Sequence, residues 1–168
     1  LGMAQCDEQG NVNSSKFGPR LAGCGGFINI SQNAQKVLFV GTFTAGGLEV
    51  AINDGKLRII KEGKNKKFIK SVEQITFSGK IGSKSGQEIL YITERCVFRL
   101  KDEQLALVEI APGIDIDRDI LPYMAFRPLI DQVATMDARI FQTQPMGIRP
   151  ELLTIDIDDR IQYDPEAN

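Results

Sequence analysis

Short apolar runs separated by turn-forming residues dominate the pattern along most of this chain. The longest run, 36–43, contains β-branched and aromatic residues and predicts a strand that is covered on both faces and paired in parallel. Further strands are predicted at 2–6, near Val12, and at 71–77, 88–93, 96–100 and 105–110. The pattern therefore predicts a protein rich in strands.

The clearest local prediction is a hairpin between 48–52 and 57–60, because Asn53-Asp54-Gly55 separates two alternating apolar segments. Helical turns are predicted at 28–34 and at 115–123, where carboxylates occupy the first turn and Pro122 ends or bends the helix. Beyond residue 128 the pattern is less regular. Alternation at 153–157 predicts an edge strand.

Composition narrows the class of protein. The chain has 168 residues, of which 42% are hydrophobic and 25% charged, which is enough to bury one compact core. The formal net charge of -2 gives no general attraction to nucleic acid or to an anionic membrane. No apolar run is long enough to span a bilayer, and the first residues lack the order of a secretion signal. We therefore expect a soluble protein with neither a nucleic acid nor a membrane partner.

Cysteine and histidine usage bears on compartment and chemistry. Three cysteines, odd in number and far apart, fit neither a disulfide framework nor a zinc site, so we expect a reducing cytoplasm. The chain contains no histidine, which excludes a Ser-His-Asp triad or a histidine-ligated metal within it. Cys24 has no neighbouring cation to activate it and is expected to be a small apolar filler.

An acidic motif near the predicted second helix has a simpler explanation than metal binding. Asp115, Asp117 and Asp119 have the spacing of the first ligands of a calcium loop. The glycine that such a loop needs at its sixth position is Ile120 here. A cluster of carboxylates at a helix start accounts better for the motif, and we expect no metal site.

The most informative segment is the glycine loop, residues 23–26, in the sequence Leu21-Ala22-Gly23-Cys24-Gly25-Gly26-Phe27. It is not a dinucleotide fingerprint, because Ile28 stands where the third glycine is required. The residues alone leave two interpretations, a tight structural turn or a loop whose peptide N–H groups face an anionic ligand. A second candidate is 41–47, which follows the buried strand where open α/β sheets bind ligands.

A basic stretch, 56–70, is also open to two interpretations. It carries seven lysine or arginine residues and Glu62 as the only acidic one. A solvated hairpin face is the usual explanation, and contact with the phosphates of a nucleotide is the other. Phe68 is the only aromatic residue in the stretch, which disfavours single-stranded nucleic acid.

Several motifs occur in an order that resembles the second, beta-like half of a family I coenzyme A-transferase. They are Gly2-Met3-Ala4-Gln5, Ser15-Lys16-Phe17-Gly18, Gly23-Cys24-Gly25-Gly26, Thr42-Phe43-Thr44-Ala45-Gly46-Gly47, Thr93-Glu94-Arg95 and Glu109-Ile110-Ala111-Pro112-Gly113. The resemblance covers residues 1–141 as the C-terminal part of that half and leaves 142–168 as an acidic C-terminal extension. It implies an α/β fold with an open, mainly parallel sheet, helices and additional hairpins.

The resemblance also implies a mechanism and site residues. Such enzymes move coenzyme A between a short-chain acyl-CoA and a carboxylic acid through a glutamyl-CoA thioester. The peptide N–H of Gly26 would hold the thioester oxygen, and Gly23, Gly25, Gly26 and Phe27 would bind coenzyme A. Coenzyme A is a substrate here, and no separate cofactor is implied. Glycine suits position 26 because a side chain would occupy the space of the acyl group.

The nucleophilic glutamate would lie upstream of Leu1, and the apolar start of the chain leads us to expect an upstream cut. Glu8 is expected in a surface turn instead, and Glu94 with Arg95 in an internal framework role. The implied partners are the remainder of the same polypeptide and further copies of it. Two other hypotheses stay open: a non-catalytic module that binds coenzyme A or a nucleotide, and a structural subunit whose glycine loop is only a turn.

Overall fold

The computed structural model describes residues 1–154. Most strands are short, and they lie in one five-stranded sheet and four two-stranded ribbons. In chain order they are β1 (Gln5–Cys6), β2 (Val12–Asn13), β3 (Lys16–Phe17), β4 (Arg20–Leu21), β5 (Lys36–Val40), β6 (Thr44–Ala45), β7 (Glu49–Asn53), β8 (Lys56–Lys61), β9 (Asn65–Lys66), β10 (Glu88–Ile92), β11 (Cys96–Lys101), β12 (Gln104–Ile110) and β13 (Leu129–Thr135). The α-helices are α1 (Phe27–Asn33), α2 (Gly79–Lys84) and α3 (Arg149–Thr154).

The main sheet has the strand order β13-β12-β11-β10-β5. Its outer pairs, β13 with β12 and β10 with β5, are parallel, whereas β10, β11 and β12 are antiparallel neighbours. The α/β class is confirmed, but the sheet is mixed and not mainly parallel. The reason is local: Asp102 and Glu103 both have positive φ, and they form a tight turn that returns β12 antiparallel to β11.

The strand predicted at 36–43 is shorter than expected and is not covered on both faces. Val37 and Phe39 are buried, whereas Leu38 and Val40 on the other face are 39% and 53% exposed. Adjacent positions of a strand face opposite sides, so only one side of β5 packs into the core of the described chain. An apolar run therefore predicted the strand correctly but not its surroundings.

The hairpin prediction is confirmed by β7 and β8, which pair up to Asn53 opposite Lys56. Asp54 and Gly55 in the turn have φ values of 51° and 72°, the left-handed conformation that this turn requires. Helix α1 confirms the helical turn predicted at 28–34. A π turn at Ile116–Ile120 and a 3-10 turn at Leu121–Tyr123 confirm the helical segment at 115–123, and Pro122 lies in the second.

Two strand predictions fail and one strand was missed. Residues 71–77 contain only an isolated bridge between Val12 and Phe77, because the segment bonds to the 5–15 region through side chains such as Glu73 and Thr76. Strand β13 was not predicted at all. The edge strand predicted at 153–157 is wrong for Leu153 and Thr154, which lie in α3, and its remaining positions from 155 lie outside the described residues.

Aromatic side chains form the centre of the core. Phe39 of β5 stacks on Tyr91 of β10 at 5.3 Å between ring centroids and on Phe27 of α1 at 5.8 Å. The Tyr91 hydroxyl donates to the carbonyl of Gly10 at 2.5 Å. A second cluster contains Phe43, Phe68 and Phe98. The first cluster joins β5 to β10 and α1, and the second joins the segment after β5 to β11. Between residues 1 and 154, no helix has the length and apolar character to cross a membrane.

Candidate functional site

The glycine loop leaves the β3–β4 hairpin and runs directly into helix α1. Gly25 has a φ of 52°, a left-handed conformation that favours glycine, whereas Gly26 has an ordinary φ of -79°. The Phe27 N–H donates to the carbonyl of Cys24 at 3.0 Å, and the Ile30 N–H donates to the carbonyl of Gly26 at 2.9 Å. These two bonds fix the loop onto the first turn of the helix.

The peptide N–H groups of Gly25 and Gly26 remain available for an external acceptor. Both glycines are exposed. No backbone or side-chain acceptor for either N–H is found between residues 1 and 154. A methyl group at Gly26 would contact only Ile30, at 3.5 Å, so nothing in the described chain itself requires glycine there. The loop can therefore donate hydrogen bonds to an oxygen that bears developing negative charge.

Phe27 anchors the glycine loop and does not extend from it. Its side chain is buried and stacks on Phe39, so a ligand at the loop could reach only its backbone. Cys24 is half-buried and packs against the core, as expected of an apolar filler. Glu8 is exposed in a surface turn, as predicted.

The second candidate segment, 41–47, lies at the carboxyl ends of two parallel strands. β5 and β10 run side by side, and the Gly41 N–H donates to the carbonyl of Ile92 at 3.1 Å. Glu94 follows β10, and one of its carboxylate oxygens accepts the Phe43 N–H at 2.8 Å. The sheet edge and the 41–47 segment are thus held together by a carboxylate.

Arg95 forms the other part of this framework. Its side chain is fully buried and donates two hydrogen bonds to Glu62, at 2.8 and 2.7 Å, and one to Glu94 at 2.7 Å. The guanidinium also lies 4.7 Å from the centre of the Phe43 ring. The predicted framework role of Glu94 and Arg95 is confirmed. The pairing of Glu62 with Arg95 was not predicted. Its only signal in the sequence is that Glu62 is the single acidic residue of the basic stretch.

The pKa values of this network follow from burial opposed by hydrogen bonding. Partial burial acts to raise the pKa of Glu62, but hydrogen bonds from Arg95 and Thr44 outweigh it and the net pKa is lowered. Burial acts to lower the pKa of Arg95, and the hydrogen bonds to Glu62 and Glu94 raise it overall. Glu62 and Arg95 therefore both stay ionised at neutral pH.

Lys67 departs from the prediction for the basic stretch. The other basic residues of 56–70 are exposed, as both interpretations of the stretch require: Lys56, Arg58, Lys61, Lys64, Lys66 and Lys70. Lys67 instead is only 8% exposed. Burial lowers the pKa of its ammonium, opposed by attraction to Glu94 and Cys6. Its Nζ lies 2.7 Å from the point where a Cβ on Gly41 would be.

The acidic motif at 115–119 is a helix cap. Asp115 accepts the Arg118 N–H at 2.8 Å, and Asp119 binds the Arg118 side chain, whose hydrogen bonds lower the pKa of that carboxyl. The helix-start explanation is confirmed. The part of the chain up to residue 154 has no group of three or more His, Cys, Asp or Glu side chains placed to hold a metal ion.

Comparison with known proteins identifies close relatives of this chain. It is 54% identical to a caffeate CoA-transferase from Acetobacterium woodii over 154 residues, which is 88% of this chain and 29% of the relative. It is 49% identical to the acetate CoA-transferase YdiF from Escherichia coli over 153 residues, or 90% of this chain and 29% of that one. The chain thus spans about 29% of the length of these curated relatives. No family model matches.

Solved structures agree with the sequence comparison. An acyl-CoA transferase from Escherichia coli (YdiF), solved as a thioester complex with CoA, superposes with a TM-score of 0.85 at 49% identity and covers 88% of this chain and 29% of that one. Glutaconate coenzyme A-transferase from Acidaminococcus fermentans shares the fold, with a TM-score of 0.60 at 18% identity over 82% of this chain and 52% of that one. The fold predicted from the ordered motifs is therefore confirmed.

Proposed function

This chain is a homologue of one segment of the CoA-transferases, and from this we propose that it forms part of an enzyme that moves coenzyme A between a short-chain acyl-CoA and a carboxylic acid. The observation that carries the proposal is 49–54% identity along 88–90% of the chain. Identity at this level is far above what a shared fold alone requires, as the 18% identity of the glutaconate enzyme illustrates.

The proposed reaction divides one difficult exchange into easier covalent steps. A glutamate carboxylate outside this chain attacks the acyl-CoA carbonyl, forms an acyl-glutamyl anhydride and releases CoA as a thiolate. The thiolate then attacks the glutamyl carbonyl, which expels the carboxylate of the original acid and leaves a glutamyl-CoA thioester. An acceptor carboxylate reverses these steps and departs as the new acyl-CoA.

The contribution of this chain would be the oxyanion donor. We assign the peptide N–H of Gly26 to the thioester oxygen and place Gly23, Gly25 and Phe27 along the bound coenzyme A, the last through its backbone. Two features support this assignment. The Gly25 and Gly26 N–H groups have no acceptor in residues 1–154, and a preformed donor needs little reorganisation as charge develops.

Apolar side chains beside the glycine loop support a site at a junction with more polypeptide. Leu21, Ile28 and Ile30 are 73%, 40% and 56% exposed in the described chain. Exposed apolar groups that cluster along the sequence are typical of a surface that another segment covers. We propose that the remainder of the same polypeptide, which carries the glutamate, packs here.

The wider organisation is proposed on the same basis. Residues 1–141 would form the C-terminal part of a beta-like domain, and 142–168 an acidic extension of it. We propose a cytoplasmic homo-oligomer, in keeping with three free cysteines, of which Cys6 and Cys96 are buried.

Exchange of label between acetate and an acyl-CoA tests the proposed activity. The chain should be inactive alone and should acquire exchange when combined with the polypeptide that carries the glutamate. The control is the same assembly with that glutamate replaced by glutamine, which should show no exchange. A verified assembly that still fails to exchange label would overturn the proposal.

The exposed amides of the glycine loop also fit a non-catalytic module that binds coenzyme A. Titration of free coenzyme A into the chain by calorimetry separates the two functions. The transferase proposal predicts weak binding, because the rest of the site is contributed by other segments. Tight binding by this chain alone, with no exchange in the assembly, would favour the module.

A further inference from the structure

A buried lysine, Lys67, borders a cavity that the proposed reaction does not use. The cavity has a volume of about 580 Å³. Its wall includes the apolar residues Met3, Ala4, Phe17 and Ala45, the acid Glu73 and three lysines, Lys64, Lys66 and Lys67. Lys67 is more than nine-tenths buried. We call this space the Lys67 cavity.

The ammonium of Lys67 has no hydrogen bond or ion pair with any group in residues 1–154. Every fully enclosed side-chain nitrogen or oxygen in that part of the chain does have a hydrogen-bond partner. The Lys67 ammonium therefore keeps some contact with solvent, and the residue borders the cavity. A largely desolvated cation without an ion-pair partner is unfavourable, so its position favours an anion in the cavity.

Neither nearby carboxylate is in direct contact with the Lys67 ammonium. Glu94 attracts Lys67, but its two oxygens accept hydrogen bonds from Phe43 and Arg95, and no ion pair with Lys67 forms. Glu73, on the cavity wall, accepts hydrogen bonds from Gln5 and from the Gly18 N–H, both at 2.7 Å. Both carboxylates are therefore engaged elsewhere.

The location of the Lys67 cavity relates it to both candidate segments. Gly41 follows β5 directly, and the Lys67 Nζ occupies the space beside it that a side chain would fill. On another wall, Phe17 and Gly18 form part of the β3–β4 hairpin that leads directly into the glycine loop. The cavity thus lies between the carboxyl edge of the sheet and the hairpin that carries the loop.

We propose that the Lys67 cavity binds a small monocarboxylate, whose carboxylate contacts the Lys67 ammonium and whose hydrocarbon part lies against Met3, Ala4 and Ala45. The other two lysines of the wall are exposed, and Lys66 donates to the carbonyl of Pro122, so Lys67 is the one buried lysine of the wall in residues 1–154. One buried ammonium matches the single charge of a carboxylate, whereas a phosphate with two charges usually takes several donors. This assignment rests on the proposed function, where the ligand is the acid that receives coenzyme A.

Titration of the chain with sodium propionate tests the proposal, with propionate replacing chloride at constant ionic strength. Amide resonances of Gly41 and Ala45 should shift with a common dissociation constant. Lys67→Met should weaken binding by about 10- to 100-fold, as expected for loss of a charge-assisted hydrogen bond. The matched control Lys70→Met removes an exposed charge three residues away and should change the constant less than about twofold.

A second variant displaces the ammonium without removing it. Gly41→Ala would place a methyl group 2.7 Å from the Lys67 Nζ, and the flexible side chain can move away. It should also weaken propionate binding. Lys67→Met should not lower the midpoint of urea unfolding, because it removes an unpaired buried charge, so a loss of binding cannot be assigned to unfolding.

Three results would overturn the inference: unchanged propionate binding in Lys67→Met, resonance shifts confined to regions away from the cavity, or phosphate binding at the same amides more tightly than propionate. In the assembled enzyme, Lys67→Met should raise the KM for the acid and leave the KM for acyl-CoA unchanged. If the assembly shows no transfer at all, the proposed function fails, while the propionate titration still decides whether the cavity binds carboxylates.

Discussion

Replacement of Gly26 by alanine separates a role in chemistry from a role in folding. Its φ of -79° suits any residue, and an added methyl would meet only Ile30 at 3.5 Å, an ordinary contact. The free energy of unfolding should therefore stay the same or rise by about 0.4–1 kcal/mol, since alanine restricts the unfolded chain. Within the assembled enzyme, the methyl would compete with the acyl group and displace the oxygen from the N–H. Transfer should fall by about 10²-fold, equivalent to about 2.7 kcal/mol.

The neighbouring glycine provides the control, because it is needed for the opposite reason. Gly25→Ala places a side chain on a residue with a φ of 52° and should cost about 1–2 kcal/mol of stability. Urea unfolding of the chain and kcat/KM of the assembled enzyme are measured for both variants. If Gly26→Ala lowers stability and leaves transfer unchanged, the glycine loop is a structural turn and the assignment of Gly26 is wrong.

Two further predictions concern stability. Arg95→Met leaves Glu62 and Glu94 without their buried partner. It should lower the free energy of urea unfolding by about 3 kcal/mol, and a loss under about 1 kcal/mol would refute the role of this network. Burial raises the pKa of the Cys6 and Cys96 thiols above their unfolded values, so their contribution is complete below about pH 8.5 and is lost as the pH rises. From pH 7.5 to 9.5 the two thiols together should lower the free energy of unfolding by about 3 kcal/mol, and Cys96→Ala should remove about half of that decrease. An equal decrease in the variant would contradict the assignment.

Sequence patterns predicted the fold where local chemistry decides the structure. Asn53-Asp54-Gly55 specified its hairpin because the turn needs left-handed residues, and the apolar run at 36–43 specified a strand. Strand β13 was missed, since its alternation is weak and its pairing with β12 depends on distant residues. The mixed sheet was also not predicted, because the turn at Asp102 and Glu103 lacks the glycine that usually marks it.

The candidate site was only partly predictable for a similar reason. The glycine loop could be predicted because glycine favours turns and leaves peptide N–H groups accessible, and these properties depend on few other residues. Lys67 was grouped with its exposed neighbours because adjacent lysines look alike in a sequence, and only the packing beside Gly41 distinguishes it. The pairing of Glu62 with Arg95 joins residues 33 positions apart, and no local pattern reports such a contact.

The most direct test is a structure of the assembled enzyme with its glutamyl-CoA thioester trapped. The proposed role of the glycine loop predicts that the Gly26 peptide nitrogen lies 2.7–3.1 Å, the usual range for such donors, from the thioester carbonyl oxygen. A thioester oxygen that contacts other donors, with the Gly26 N–H facing solvent or another protein group, would contradict it.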